Sequence, residues 1–201
     1  MESLKNLFKI GRGPSSSHTM GPQKAAQLFA KNHRDAKSFN VTLYGSLAAT
    51  GKGHMTDIAI NDILSPIAPL HIDWKPKIFL PFHPNGMKFE SLDNERITDS
   101  WTVYSIGGGT LSEGKGENDI FSQKQIYRLN SIKEILKWCE NSGKNYWEYV
   151  EECETKDIWD YIDCVWQTMK DSVVRGLNHE GVLPGPLHLT RKASTYYIKA
   201  R

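Results

Sequence analysis

The stretch "FNVTLYGSLAATGKGHMTDIAINDIL", residues 39–64, decides the fold class. Residues 39–44 alternate apolar and polar side chains, and this period of two predicts a half-buried β-strand. Residues 55–64 are largely apolar and predict a helix. The run between them is rich in glycine and small polar residues and predicts a loop. A strand, a loop and a helix in this order are typical of an α/β domain.

The sequence on both sides of this stretch adds further elements. Upstream, helices are predicted over 3–10 and from Pro22 onward, where the proline suits a first helical position. Downstream, four more strands are predicted, over 77–82, 86–92, 99–106 and 120–126. From Ser131 the apolar spacing becomes helical, with one short helix near 146–150 and a long one over 157–177.

The fold class predicted from these elements is α/β (α+β): a mixed β-sheet flanked by helices, with a C-terminal helical segment and an extended tail. The main domain is expected to span residues 1–180. Residues 181–201, which contain the turn-forming P-G-P sequence, are expected to form a linker.

Composition excludes several function classes. The chain has 201 residues with a net charge of +2, which offers no electrostatic footprint for nucleic acid or an anionic membrane. No apolar run approaches the roughly 20 residues of a membrane span, and the N-terminus lacks a signal-peptide pattern. The three cysteines form no C-x-x-C pair, so no metal site is predicted and a reduced, cytoplasmic protein fits best.

The stretch "GRGPSSSHTMGP", residues 11–22, is the first candidate site. It precedes a helix whose first backbone N–H groups lack partners, and serine hydroxyls can join those groups in binding a carboxylate. An ordinary capped surface loop is the alternative interpretation. The candidate ligand-binding residues are Ser15, Ser16, Ser17, His18 and Thr19.

Three further polar loops could contribute to the same site. "TGKGHMTD", residues 50–57, places His54 before a helix, where it could act as a general base, beside the cationic Lys52. "LPFHPNGM", residues 80–87, carries His83 in a proline-bounded turn. The glycine run of "SIGGGT" includes Gly107 and Gly108, which would let a ligand approach the backbone. Each loop taken alone could equally be a plain turn, but α/β folds gather such loops at one sheet edge.

Five blocks, in order along nearly the whole chain, give the sequence a resemblance to a known family. They are "FKIGRGPSSSHTMGP" (8–22), "YGSLAATGKGHMTDIAI" (44–60), "LPFHPNGM" (80–87), "YSIGGG" (104–109) and "VWQTMKDSVVRGLNHEGVLPGPL" (165–187). Together they resemble the β domain of the iron–sulfur-dependent L-serine dehydratases, and this domain is similar in turn to the allosteric substrate-binding domain of some phosphoglycerate dehydrogenases.

The resemblance implies a lyase component that helps convert L-serine to pyruvate and ammonia without pyridoxal phosphate, in amino-acid metabolism and gluconeogenesis. It implies a [4Fe–4S] cluster whose ligands lie in a separate α domain or subunit, and a homo-oligomer, with a dimer expected. His54 is then the expected base and His83 a second catalytic histidine. The Ser15–Thr19 loop, Lys52, Gly107 and Gly108 would bind substrate. A stand-alone serine-binding regulatory domain is the alternative function.

Two departures from the family pattern qualify these implications. Only 28 residues separate His54 from His83, which is short for the family, so the assignment of His83 is less firmly anchored. The sequence also stops just after "GVLPGPL", where the α domain is expected to start. We therefore expect a truncated product, a separate β subunit or a fragment, inactive on its own.

Overall fold

A five-stranded mixed β-sheet organises the first half of the chain. The computed structural model describes residues 1–122 and 124–200. The strand order is β2-β1-β3-β4-β5, with β1 parallel to β2 and the other pairs antiparallel. The strands are β1 (Ser38–Tyr44), β2 (Leu70–Lys75), β3 (Gly86–Asp93), β4 (Arg96–Gly107) and β5 (Thr110–Ser112).

Three helices pack with this sheet. They are α2 (Gly21–Asn32), α3 (Gly45–Thr50) and α4 (Thr56–Leu64). Alternate residues of β1, namely Phe39, Val41 and Leu43, are buried, as the period of two predicts, and belong to the main hydrophobic core. Ala25 and Ala26 of α2 are fully buried in the same core, so small side chains line this helix where it packs. The α3–α4 pair connects β1 to its parallel neighbour β2, as a parallel connection requires.

The described residues divide into two compact units. The sheet unit comprises residues 11–122 and 183–189, and the helical unit comprises residues 1–10, 124–182 and 190–200. The helices of the helical unit are α1 (Leu4–Leu7), α5 (Ile132–Ser142), α6 (Tyr146–Cys153), α7 (Ile158–Asn178) and α8 (Ala193–Lys199).

The helical unit has a small core of its own around Tyr127, Ile135 and Tyr149. Glu154 ties α1 to this core, because its carboxylate accepts hydrogen bonds from Ser3 Oγ and the Tyr127 hydroxyl, each at 2.7 Å. These hydrogen bonds hold the pKa of Glu154 below its ordinary value even though burial opposes that shift. A capping box at Ser131 starts α5.

The predicted fold class is confirmed, with local corrections. The strand predicted over 77–82 is wrong: the strand lies at Leu70–Lys75, between Pro69 and Pro76, which flank it without interrupting its pairing with β1. Residues 77–82 instead pass the end of β1, where the Ile78 carbonyl accepts a hydrogen bond from the Gly45 backbone N–H at 2.8 Å.

Two other expectations differ from the structure. The described residues of 120–126 contain no strand, and Gln123 lies outside the described residues. The tail is not wholly extended, because Ala193–Lys199 forms α8, which packs near Gly176 of α7. Neither Pro184 nor Pro186 lies within α8, so nothing interrupts its backbone hydrogen bonds.

Among the described residues, no helix is long and apolar enough to cross a membrane. The 1–180 domain boundary stays a prediction.

Candidate functional site

The serine-rich loop forms the start of a long helix. Ser16–Met20 makes a π-helical turn that runs directly into α2. Ser15 caps this turn, since its Oγ accepts a hydrogen bond from the His18 backbone N–H at 3.1 Å. Ser16 is exposed and Thr19 is fully buried. The first turn of such a helix presents backbone N–H groups and the positive end of the helix dipole to the solvent, which suits an anion.

His18 and His54 lie side by side, although 35 residues separate them. Their ring centroids are 4.7 Å apart. Two threonines fix this arrangement through the backbone: Thr19 Oγ1 donates to the His54 carbonyl at 2.7 Å, and Thr56 Oγ1 donates to the His18 carbonyl. Both threonines are fully buried. The two loops that carry the histidines are therefore joined by a reciprocal pair of hydrogen bonds.

The His18 ring is held at both nitrogens. Nδ1 lies 2.9 Å from Ser17 Oγ and Nε2 lies 3.1 Å from Ser46 Oγ. Burial lowers the pKa of His18, the nearby His54 ring lowers it further, and the hydrogen bond with Ser46 acts in the opposite direction. A lowered pKa keeps His18 uncharged near neutral pH, with one ring nitrogen donating and the other accepting.

His54 has one ring nitrogen engaged and one available. Its Nδ1 lies 3.0 Å from the Thr50 carbonyl, which can only accept, so Nδ1 carries the proton and Nε2 carries the lone pair. Within the described part of the chain, no hydrogen-bond partner lies at Nε2. The next residue, Met55, has a positive φ of 56°, an unusual backbone conformation for a side-chain-bearing residue. The geometry suits a general base.

The segment 183–189 packs beside this histidine turn. A Cβ placed on Gly185 would lie 3.1 Å from Met55 Sδ, and one placed on Gly53 would lie 3.6 Å from a Leu187 methyl group. The sequence predicts a linker here, and the structure instead brings these residues against the turn that carries His54.

His83 is connected to the histidine pair through Ser46. The Ser46 backbone N–H donates to the Pro84 carbonyl at 3.0 Å, while its hydroxyl contacts His18. The Asn85 backbone N–H donates to His83 Nδ1 at 3.1 Å, so Nε2 carries the proton in the neutral ring. The Asn85 side chain in turn donates to the Ser105 carbonyl at 3.1 Å, which anchors the turn to β4.

The remaining candidates lie in other surroundings. Lys52 is exposed, and its Nζ lies 5.6 Å from the centroid of the Trp74 ring, a cation–π contact toward β2. Gly107 and Gly108 form the β4–β5 turn with positive φ angles of 112° and 56°. A Cβ at either glycine would meet nothing within 4 Å, so this turn faces open space. Within the described ranges, no hydrogen bond or ion pair joins Lys52, Gly107 or Gly108 to the histidine pair.

Sequence reasoning missed three residues that organise the site: Ser46, Thr56 and Asn85. Each lies in a loop or helix start that it did single out, but their roles depend on contacts across 20–38 positions. Ser46 had one available signal, since it is the hydroxyl residue immediately after the predicted strand 39–44.

The cysteines do not form an iron–sulfur site. Cys139 and Cys153 are half-buried in the helical unit and Cys164 is exposed on α7. In the described ranges, no group of three or more histidine, cysteine, aspartate or glutamate side chains is placed to hold a metal ion. The described residues therefore do not fit the ligand set of a [4Fe–4S] cluster, which needs several thiolates.

Comparisons with known proteins agree with the site's sequence blocks. The sequence model of the family described as serine dehydratase beta chain matches residues 3–75 and 64–115. L-serine dehydratase 1 of Escherichia coli is 34% identical over 241 residues, which include 96% of this chain and 53% of that protein. The L-serine dehydratase of Haemophilus influenzae is 32% identical over 248 residues, with 98% of this chain and 54% of that protein covered.

A third relative, the L-serine dehydratase of Streptomyces coelicolor, is 30% identical over 249 residues, with 99% of this chain and 55% of that protein covered. The chain thus spans about half the length of the curated relatives it matches. Each match is also longer than the 201 residues of this chain, so the relatives carry internal segments that it lacks. With its family model matched over more than half its length, the chain belongs to the serine dehydratase beta chain family.

Proposed function

We propose that this chain is the β component of an L-serine dehydratase, a lyase that converts L-serine to pyruvate and ammonia. The observation that carries the proposal is the His18–His54 pair beside a capped helix start, in a chain of the serine dehydratase beta chain family. The relatives named L-serine dehydratase support the substrate.

The helix start is proposed to bind the serine carboxylate. The exposed Ser16 and the half-buried Ser15 and Ser17 surround the first turn, where free backbone N–H groups and the helix dipole favour an anion. Neutral His18, fixed by Ser17 and Ser46, would line the same pocket without adding a charge that competes with the substrate ammonium. Buried Thr19 would hold this wall in place.

His54 is proposed to remove the α proton. Its Nε2 lone pair is the available base, and the Cα–H electrons would form the Cα–Cβ double bond as the Cβ–O bond breaks and hydroxide leaves. The proton taken up by His54 balances that hydroxide, so the net products are the enamine and water. The resulting enamine would tautomerise to an imine, which water converts to pyruvate and ammonia. His83, with its proton on Nε2, would serve as a hydrogen-bond donor at the second catalytic position.

Lys52, Gly107 and Gly108 are proposed as outer substrate contacts. The open turn at Gly107 and Gly108 leaves room for a ligand near the backbone. Lys52 would have to leave Trp74 to contribute its charge, a rearrangement within reach of a long, exposed side chain.

The complete enzyme is proposed to need an α partner. The [4Fe–4S] cluster that the family resemblance implies is proposed to belong to that partner, because the described residues here do not fit its ligand set. No pyridoxal phosphate is expected. A cytoplasmic homo-oligomer acting in gluconeogenesis is part of the same proposal, and no nucleic acid or membrane partner is expected.

The test is reconstitution. We would co-express this chain with the segment of E. coli L-serine dehydratase 1 that follows the aligned residues, supply iron and sulfide anaerobically, and assay pyruvate from L-serine. Wild-type chain should give pyruvate, and His54→Ala should lower the rate by about 10²–10⁴-fold. His71→Ala, on the exposed part of β2, is the matched control and should retain the wild-type rate.

The outcomes separate the base assignment from the function. Full activity in His54→Ala, with equal iron content, would remove His54 from its role. Saturable serine binding by the chain, with no pyruvate from a complex of normal iron content, would favour the regulatory serine-binding alternative.

A further inference from the structure

Helix α7 carries an uncovered apolar face in the helical unit. Trp159, Trp166, Met169 and Val173, which we call the α7 stripe, recur at intervals of seven, three and four residues and therefore share one side of the helix. Their exposed fractions are 40%, 55%, 53% and 60%. Another side of the helix carries the polar residues Asp160, Gln167 and Asp171.

This exposure is unusual because of the size of the side chains. A tryptophan side chain buries 150–250 Å² when it packs, and a contiguous exposed apolar patch on a soluble protein marks an interaction surface. Only Ile158 of α7 is buried. Trp159 donates a hydrogen bond to Glu151, and Lys170 lies over the Trp166 ring, but the four side chains of the α7 stripe remain 40–60% exposed.

The relatives contain a further segment, which is a candidate for covering this surface. The family model matches no residue beyond 115, whereas the relatives align with nearly the whole chain and so include α5 to α8. The aligned part is 53–55% of the relatives' length, so nearly half of each relative lies outside it. Helices consecutive in a chain usually pack on one another. The family resemblance places the α domain after residues 165–187, a block that begins within α7, so the helical unit adjoins that half.

We propose that the α7 stripe is the surface on which the C-terminal half of an L-serine dehydratase packs, supplied either in the same chain or by a partner. This inference rests on the proposed function, because the partner it names is the rest of an L-serine dehydratase. The α7 stripe would become part of a core shared with that half, which explains why the largest side chains of α7 face outward.

The experiment is co-expression of tagged full-length chain with the C-terminal segment of E. coli L-serine dehydratase 1, followed by purification and quantification of both. Wild-type chain should recover the segment in near-equal amount. Trp166→Glu and Met169→Glu should each lower recovery at least about tenfold, as expected for hot-spot positions. Gln167→Glu places the same charge on the polar side of α7 and should stay within about twofold of wild type.

Circular dichroism of each variant alone measures its helix content and so separates misfolding from loss of binding. The replaced side chains are exposed, so each variant should keep the helix content of the wild type. His54→Ala should recover the segment normally while losing pyruvate formation, so failure of the site and failure of the surface are distinguishable. Normal recovery with Trp166→Glu, or no recovery with wild-type chain, would overturn the proposal. If the wild-type chain is a dimer that Trp166→Glu dissociates, and recovery of the segment is unchanged, the proposal is also overturned. The α7 stripe would then be a surface that binds a second copy of this chain.

Discussion

Replacing Gly21 by alanine tests the packing that holds the serine-rich loop against the sheet. Gly21 is the first residue of α2 and has ordinary right-handed helical angles, φ −59° and ψ −55°. In such a conformation alanine normally stabilises a helix by about 0.5–1 kcal/mol relative to glycine. At Gly21, however, the added Cβ would lie 2.1 Å from Ser105 Oγ and 2.9 Å from Ser105 Cβ.

Ser105 has nowhere to move without cost. It is fully buried in β4, and its Oγ has no hydrogen-bond partner among the described residues. Overpacking of this kind costs about 1–3 kcal/mol, which exceeds the helical gain. We therefore expect Gly21→Ala to lower the free energy of unfolding by about 1–2 kcal/mol, and to weaken any serine binding because it displaces the adjoining His18 loop.

Urea denaturation followed by circular dichroism measures this effect. Gly176→Ala is the matched control, since the atom nearest to its added Cβ is 4.0 Å away, and it should stabilise α7 by about 0.5–1 kcal/mol. Gly21→Ala combined with Ser105→Gly should recover part of the loss. If Gly21→Ala stabilises the protein as much as Gly176→Ala does, the close contact with Ser105 does not exist and the reasoning is refuted.

Two further predictions concern titratable groups. Because the folded-state pKa of His18 is lowered, its stabilising contribution is complete above the unfolded pKa of about 6.5 and is lost as pH falls. Wild-type stability should therefore decline more steeply from pH 7 to pH 5 than that of His18→Gln, and equal slopes in urea titrations would contradict this. Asp119 is buried, and its carboxylate accepts hydrogen bonds from the backbone N–H groups of Glu113 and Phe121 at 2.7 and 3.0 Å, which help hold its pKa low. Asp119→Asn should cost about 2 kcal/mol at neutral pH, with the difference shrinking in acid below pH 4, whereas a cost under about 0.5 kcal/mol would contradict the account.

Local pattern explains why some elements were predictable and others were not. The alternation of 39–44 identifies β1 because one face of the strand is buried. The edge strand Leu70–Lys75 has no fully buried residue and no alternation of burial, and its flanking prolines suggest a break in the chain. The helix Gly45–Thr50 could not be predicted for a different reason. Its glycine and small residues are typical of loops, and its helical conformation depends on packing against β1 and β2.

The candidate site shows the same limit. His18 and His54 could be named from their loops, and the tendency of α/β loops to share a sheet edge predicted that they would meet. The contacts that fix the pair could not be predicted. Thr19 was named only as a ligand-binding candidate, and Thr19, Thr56 and Ser46 act through contacts that sequence spacing does not encode. Lys52 was named from its loop, but its side chain contacts Trp74 of β2. This contact could not be predicted, because it depends on where β2 lies.

The most direct test of the proposed serine site is a titration of ¹⁵N-histidine-labelled chain with L-serine, followed through the imidazole nitrogen resonances. If the site binds L-serine, the resonances of His18 and His54 should shift together along one saturable curve, while those of His71 on β2 stay unchanged. Unchanged resonances of both His18 and His54 at saturating L-serine, or an equal shift at His71, would contradict it.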